Sequence, residues 1–153
     1  MNTILGIDPG LGKTGWGVVK NIKGKTKHIA HGIIKPKMKG TLSGRLSHLS
    51  INVAYLLKIY EPNIVIVEDA FFGVNPSSTL RLGMACGAIL ASVGEANIDL
   101  LQYSSRLVKQ KVTGNGGSSK EEVQEFVLQQ LKLEKIEVID SSDALAIALS
   151  GIS

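Results

Sequence analysis

The spacing of apolar residues changes several times along this chain, and each change marks an element. Residues 3–7 form a short β-prone run that stops at Asp8-Pro9-Gly10, a strong turn signal. Residues 15–20 and 27–35 read as two further strands, joined as a hairpin through residues 21–25. Leu46, Leu49, Val53, Leu56, Leu57 and Tyr60 then repeat at helical spacing, and Glu61-Pro62-Asn63 ends that helix. Ile64-Val65-Ile66-Val67 is continuously apolar, as in a central strand covered on both faces, and it runs into Glu68-Asp69.

Asn75-Pro76-Ser77-Ser78 opens a helix reaching about Val93, whose Gly83, Ala85, Gly87, Ala88 and Ala91 permit close packing on a sheet. Residues 98–103 give a fifth strand and residues 104–112 a short helix. A loop rich in glycine at 114–117 precedes a helix over 119–132, with Ser118 or Ser119 as its cap and Glu121 and Glu122 in its first turn. Residues 140–149 form the last helix. Three strands followed by alternating helices and strands predict an α/β fold: a mixed five-stranded sheet with helices on both faces. No repeat or linker interrupts the pattern, so residues 1–153 are expected to form one domain.

Composition narrows the class. No apolar run reaches the roughly 18 residues that a bilayer demands, and the first residues lack the flanks of a signal peptide. A single cysteine, Cys86, excludes an internal disulfide, so a cytoplasmic location is expected. The net charge of +4 is unevenly spread: no acidic residue lies between Asp8 and Glu61, a stretch holding ten lysines and arginines. Such a field attracts a polyanion; a solvated lysine-rich hairpin is the plainer explanation.

Carboxylates stand where α/β sheets build sites. Asp8 ends the first strand, Glu68 ends the buried fourth strand, and Asp140 and Asp143 lie three apart at a helix start. Hard oxygen donors without a companion His or Cys cluster favour Mg²⁺ or Mn²⁺ over zinc. Two such ions about 3.5–4 Å apart serve an in-line attack on a phosphodiester. Taken singly, Asp8 also suits an Asx-type turn, Glu68 a solvated strand end, and Asp140 with Asp143 a helix-capping pair. Asp69 alternates away from Glu68 and is expected to be peripheral. The run from Ile7 to Thr14 is not a P-loop, because Ile7 stands where that motif needs glycine and Asp8 would oppose phosphate. His28, His31 and His48 have no carboxylate or cysteine at ligand spacing, and Cys86 and Trp16 read as packing residues.

The opening Ile4-Leu5-Gly6-Ile7-Asp8-Pro9-Gly10 with Thr14-Gly15-Trp16-Gly17 resembles that of RuvC resolvases. So do Val67-Glu68-Asp69-Ala70-Phe71 with Asn75, the stretch from Val108-Lys109-Gln110 to Gly114-Asn115-Gly116 and Lys120, and the closing Asp140-Ser141-Ser142-Asp143-Ala144-Leu145. These motifs span the chain in the family's order. The resemblance implies a ribonuclease H-like fold and a metal-dependent homodimer that cuts opposed strands of four-way junction DNA. It implies partnership with the RuvA–RuvB branch-migration machinery. It places Asp8, Glu68, Asp140 and Asp143 on the catalytic carboxylates, Phe71 on an aromatic that engages the junction, and Lys109 and Lys120 on basic positions that contact DNA or assist catalysis. Phe72 is equally apolar, and the sequence does not choose between the two. Some relatives extend further as a basic tail beyond the position of Ser153. The competing readings are a non-catalytic junction-binding module, which needs the basic hairpin but not four carboxylates, and an actin-like ATPase relative, which needs a second phosphate loop.

Overall fold

The computed structural model describes residues 2–10, 12–36, 40–69, 75–134 and 141–152. Five strands, β1 (Asn2–Asp8), β2 (Thr14–Ile22), β3 (Lys25–Ile34), β4 (Ile64–Asp69) and β5 (Asp99–Ser104), form one sheet in the order β3-β2-β1-β4-β5. β1, β2 and β3 pair antiparallel; β1 with β4, and β4 with β5, pair parallel. The mixed sheet expected from the strand pattern is present, and its two directions follow from the connections. Hairpins join the first three strands, and helical crossovers join the rest.

The β2–β3 turn is tighter than the pattern suggested. Only Lys23 and Gly24 lie outside the ladder, with φ of 51° and 79°. Both left-handed residues match the type I′ turn that suits the twist of a hairpin. At the other junction Asn63 fixes the register of β4 on β1. Its side-chain carbonyl accepts from the Thr3 amide at 2.8 Å, and its own amide donates to the Thr3 carbonyl at 2.8 Å.

Two cores share the sheet. On one face Leu5, Ile7, Val65 and Val67 pack against α1 (Leu42–Tyr60) and α2 (Pro76–Glu95), with Val53 and Ile89 at the contact. On the other face Ile4, Val19 and Ile66 meet α3 (Ser105–Thr113), α4 (Lys120–Leu131) and α5 (Ser142–Ser150). Strand alternation sorts the side chains: odd positions of β1 and β4 point to α1 and α2, even positions to α5. α1 starts a turn earlier than its apolar pattern, because Thr41 caps it by accepting from the Gly44 amide. It stops where expected, at a left-handed Glu61 before Pro62. Ser119, rather than Ser118, caps α4 and forms a capping box with Glu122. The cap position of α5 falls on Ser141, whose hydroxyl donates to the Gly32 carbonyl at 3.2 Å and ties the helix start to β3.

α5 lies unusually close to the sheet. Gly6 and Gly17 face each other across β1 and β2. A Cβ on Gly6 would collide with the backbone of Ala144 and Ala148, and one on Gly17 with Leu145. The two glycines therefore make a flat seat, and α5 is buried along nearly its whole length.

Candidate active site

Asp8 and Glu68 occupy even positions of neighbouring parallel strands, one step beyond the Ile7–Val67 pair. Both side chains consequently leave the sheet on the α5 side. The glycine seat lowers the start of α5 onto the same spot, bringing Asp143 with it. Glu68, Lys109, Lys120 and Asp143 line one cavity of about 150 Å³, walled by Val108, Val123 and Ala146.

Electrostatics link Asp8 to Glu68 and Asp143, although Asp8 itself does not line the cavity. Burial, and then the charge of Asp143, pushes the Asp8 carboxyl from 3.8 up to about 6, while Lys120 acts in the opposite sense. Burial likewise pushes Glu68 from 4.5 up to about 7, with Asp8 and Asp143 adding to the rise and Lys109 opposing it. Glu68 and Asp143 line that cavity, and the charge of Asp143 acts on both Glu68 and Asp8, which come from distant parts of the chain. Two lysines partly balance them, and the Lys120 ammonium lies 3.4 Å from the Asp143 carboxylate.

Asp140 and Phe71, as well as Phe72, lie outside the described residues. Among the described residues no group of three or more His, Cys, Asp or Glu side chains closes into a metal cage. Asp8, Glu68 and Asp143 are coupled by charge but do not converge on one liganding point. Their chemistry nevertheless fits a hard divalent cation: all donors are carboxylate oxygens, and burial and mutual repulsion penalise their charge. A cation bound among them would relieve that penalty.

Asp69 turns to the opposite face, as strand alternation requires, and accepts from the Gln102 amide at 2.7 Å. Trp16 packs on Tyr60 with ring centroids 5.7 Å apart. Two features of the site escaped the sequence. Ser105 lines the same cavity one helical turn before Lys109; their spacing of four was the available signal. The turn between α3 and α4 is a knot of hydroxyls. Thr113 Oγ1 and Ser118 Oγ lie 2.7 Å apart, and Ser118 donates to the Asn115 carbonyl at 2.8 Å. The knot fixes Lys109 and Lys120, on either side of it, over the same pocket.

Residues 4–151 match the family model for crossover junction endodeoxyribonuclease RuvC. The chain belongs to the RuvC family. The RuvC of Bdellovibrio bacteriovorus is 41% identical over 145 residues, covering 95% of this chain and 86% of that protein. The RuvC of Rhodospirillum rubrum is 38% identical over 146 residues, covering 95% and 86%. Thermus thermophilus RuvC in complex with a Holliday junction substrate superposes with a TM-score of 0.90 at 33% identity, covering 98% of this chain and 92% of that one. The yeast mitochondrial Holliday junction resolvase Ydc2 shares the fold, with a TM-score of 0.70 at 17% identity. The five-stranded sheet and its helices are thus the ribonuclease H-like fold of RuvC. Among the described residues no helix is long and apolar enough to cross a membrane.

Proposed function

We propose that this chain resolves Holliday junctions. It acts as a homodimer that hydrolyses one phosphodiester on each of two opposed strands and leaves 5′-phosphate and 3′-hydroxyl ends. Its RuvC membership supports the reaction class, and one observation supports the site: Glu68 and Asp143 line a single lysine-flanked pocket, and Asp8 is coupled to both by charge. Asp8, Glu68 and Asp143, together with Asp140, would hold Mg²⁺, with Mn²⁺ able to substitute. Divalent ions held there would supply a water of lowered pKa and positive charge for the leaving oxygen. The chain's own contribution is to position and to neutralise. Lys109 and Lys120 draw the phosphate towards the carboxylates, and Val108 and Val123 wall one side of the cavity. Phe71 is proposed to stack on an unpaired base at the crossover. Residues 1–153 are taken as one nuclease domain, working in the cytoplasm beside the RuvA–RuvB complex.

A labelled four-way junction tests the proposal. Paired symmetric nicks are expected with Mg²⁺ and none with EDTA. Asp8→Asn should bind the junction and leave it uncut. Full cutting by purified Asp8→Asn would remove Asp8 from the site, and binding without nicks by the unmodified protein would favour a non-catalytic module.

A further inference from the structure

Among the described residues a further cavity stands apart from the carboxylate cluster. It lies on the opposite face of the sheet, has a volume of about 180 Å³, and is not used by the proposed reaction. Its floor is apolar, built from Ile34 at the end of β3, Leu46 and Leu49 of α1, and Ala85 of α2. Its rim is basic, with Lys13, Arg45 and Arg81, and no Asp or Glu is among its described lining residues. Gly10, Lys13 and Thr14 form one wall. They belong to the turn that leaves Asp8, so the cavity opens at the same end of the sheet as the carboxylates. That turn is drawn tight, since a Cβ on Gly10 would run into the Lys13 carbonyl. Asp8 and Gly10 are two positions apart, so the carboxylate cluster and this cavity adjoin the same turn.

We propose that the cavity receives one unpaired nucleotide of the junction strand, its base on the apolar floor and its phosphates beside Lys13, Arg45 and Arg81. The inference rests on the junction-cutting reading above. The charge of the rim is of one sign, which selects a polyanion. The floor is concave and smaller than the roughly 300–1,000 Å³ of drug-sized clefts, a size suited to one ring system. A duplex arm offers only backbone to such a hollow, because its base faces are stacked inside. An unpaired base can enter, and extruding a base costs least where pairing is already lost, as at a crossover.

Abasic scanning of a four-way junction tests this, with binding followed in Ca²⁺ or EDTA and cutting in Mg²⁺. One abasic position near the crossover should weaken binding by about tenfold. Ser78→Trp, which fills the cavity from α2, should erase that sensitivity. Arg45→Gln combined with Arg81→Gln should lower the salt dependence of binding by about two units, one for each lost phosphate contact. A flat abasic scan in the unmodified protein overturns the proposal. So does Ser78→Trp retaining the sensitivity, or an unchanged salt slope in the double variant. A flat scan accompanied by a change of oligomeric state in Ser78→Trp would assign the cavity to a second copy of the chain. Absence of nicks from the unmodified protein would sink the nuclease reading separately, since the binding scan reads the cavity without chemistry.

Discussion

Glu68→Gln should make the metal-free protein more stable at pH 8 while ending its nuclease activity. A carboxylate whose pKa is higher in the folded state than in the unfolded chain binds its proton more tightly when folded. Its favourable contribution is complete below the unfolded value and is lost as pH rises through the folded value. For Glu68 that window runs from 4.5 to about 7, with burial as the main cause and the charges of Asp8 and Asp143 next. A rise of about 2.5 units corresponds to roughly 3 kcal/mol at about 1.36 kcal/mol per unit. Partial solvent access trims this to the order of 2–3 kcal/mol. Gln is neutral at every pH and copies the protonated acid in shape. The variant should therefore match the parent near pH 4.5 and exceed it at pH 8 by that amount, a gain in Tm of about 5–10 °C for a domain of this size. Urea or thermal unfolding in EDTA, followed by far-UV circular dichroism at both pH values, measures it. Adding Mg²⁺ should then raise the parent at pH 8 and leave Glu68→Gln nearly unmoved, because ligand binding to the folded state is what stabilises. A stability difference that is the same at pH 4.5 and pH 8 would refute the electrostatic account of the pocket, as would a variant less stable than the parent at pH 8.

Asp8→Asn should show the same sign over a lower window, from 3.8 to about 6, and the double variant with Glu68→Gln should gain less than the sum, since the charge of Asp8 is one cause of the rise at Glu68; double-mutant unfolding at pH 8 reads the deficit. Gly6→Ala should cost about 1–3 kcal/mol or more by lifting α5 off the sheet, and because Asp143 rides on α5, cutting should fall further than junction binding. Lys120→Met should lower the salt dependence of junction binding by about one unit, and removal of the charge that opposes the rise should carry the Asp8 pKa higher still, visible by NMR titration of its side-chain carboxyl.

Most of the sheet was legible because its signal is local. The continuous run of residues 64–67 could only be a covered strand, and the Pro-Gly after Asp8 could only be a turn. The errors fell where short-range chemistry competes with periodicity. Polar Asn21 and Lys25 were read as loop, yet two left-handed residues at Lys23 and Gly24 suffice to reverse the chain, and the ladder extends through both neighbours. The first turn of α1 carries little apolar pattern and is set by the Thr41 cap.

The site divides along the same line. Strand parity alone sent Asp69 away from Glu68, to the face where Gln102 holds it, whereas the shared face of Asp8 and Glu68 needed the β1–β4 register. What parity cannot supply is the third carboxylate, because nothing in the spacing of residues 140–149 says how near that helix comes to the sheet. The missing information sits in Gly6 and Gly17, which are registered partners on adjacent strands. Each glycine looks like a local weakness in a strand, and only their pairing across the ladder shows that both clear space for one helix. The strand weakness and the carboxylate cluster are therefore one device: backbone exposed on β1 and β2 is covered by α5, and the closeness of that cover forces Asp143 against Asp8 and Glu68. A pocket assembled this way keeps its carboxylates together for as long as the helix stays seated, so at neutral pH their repulsion is lowered by proton uptake at Glu68 or would be lowered by a bound cation.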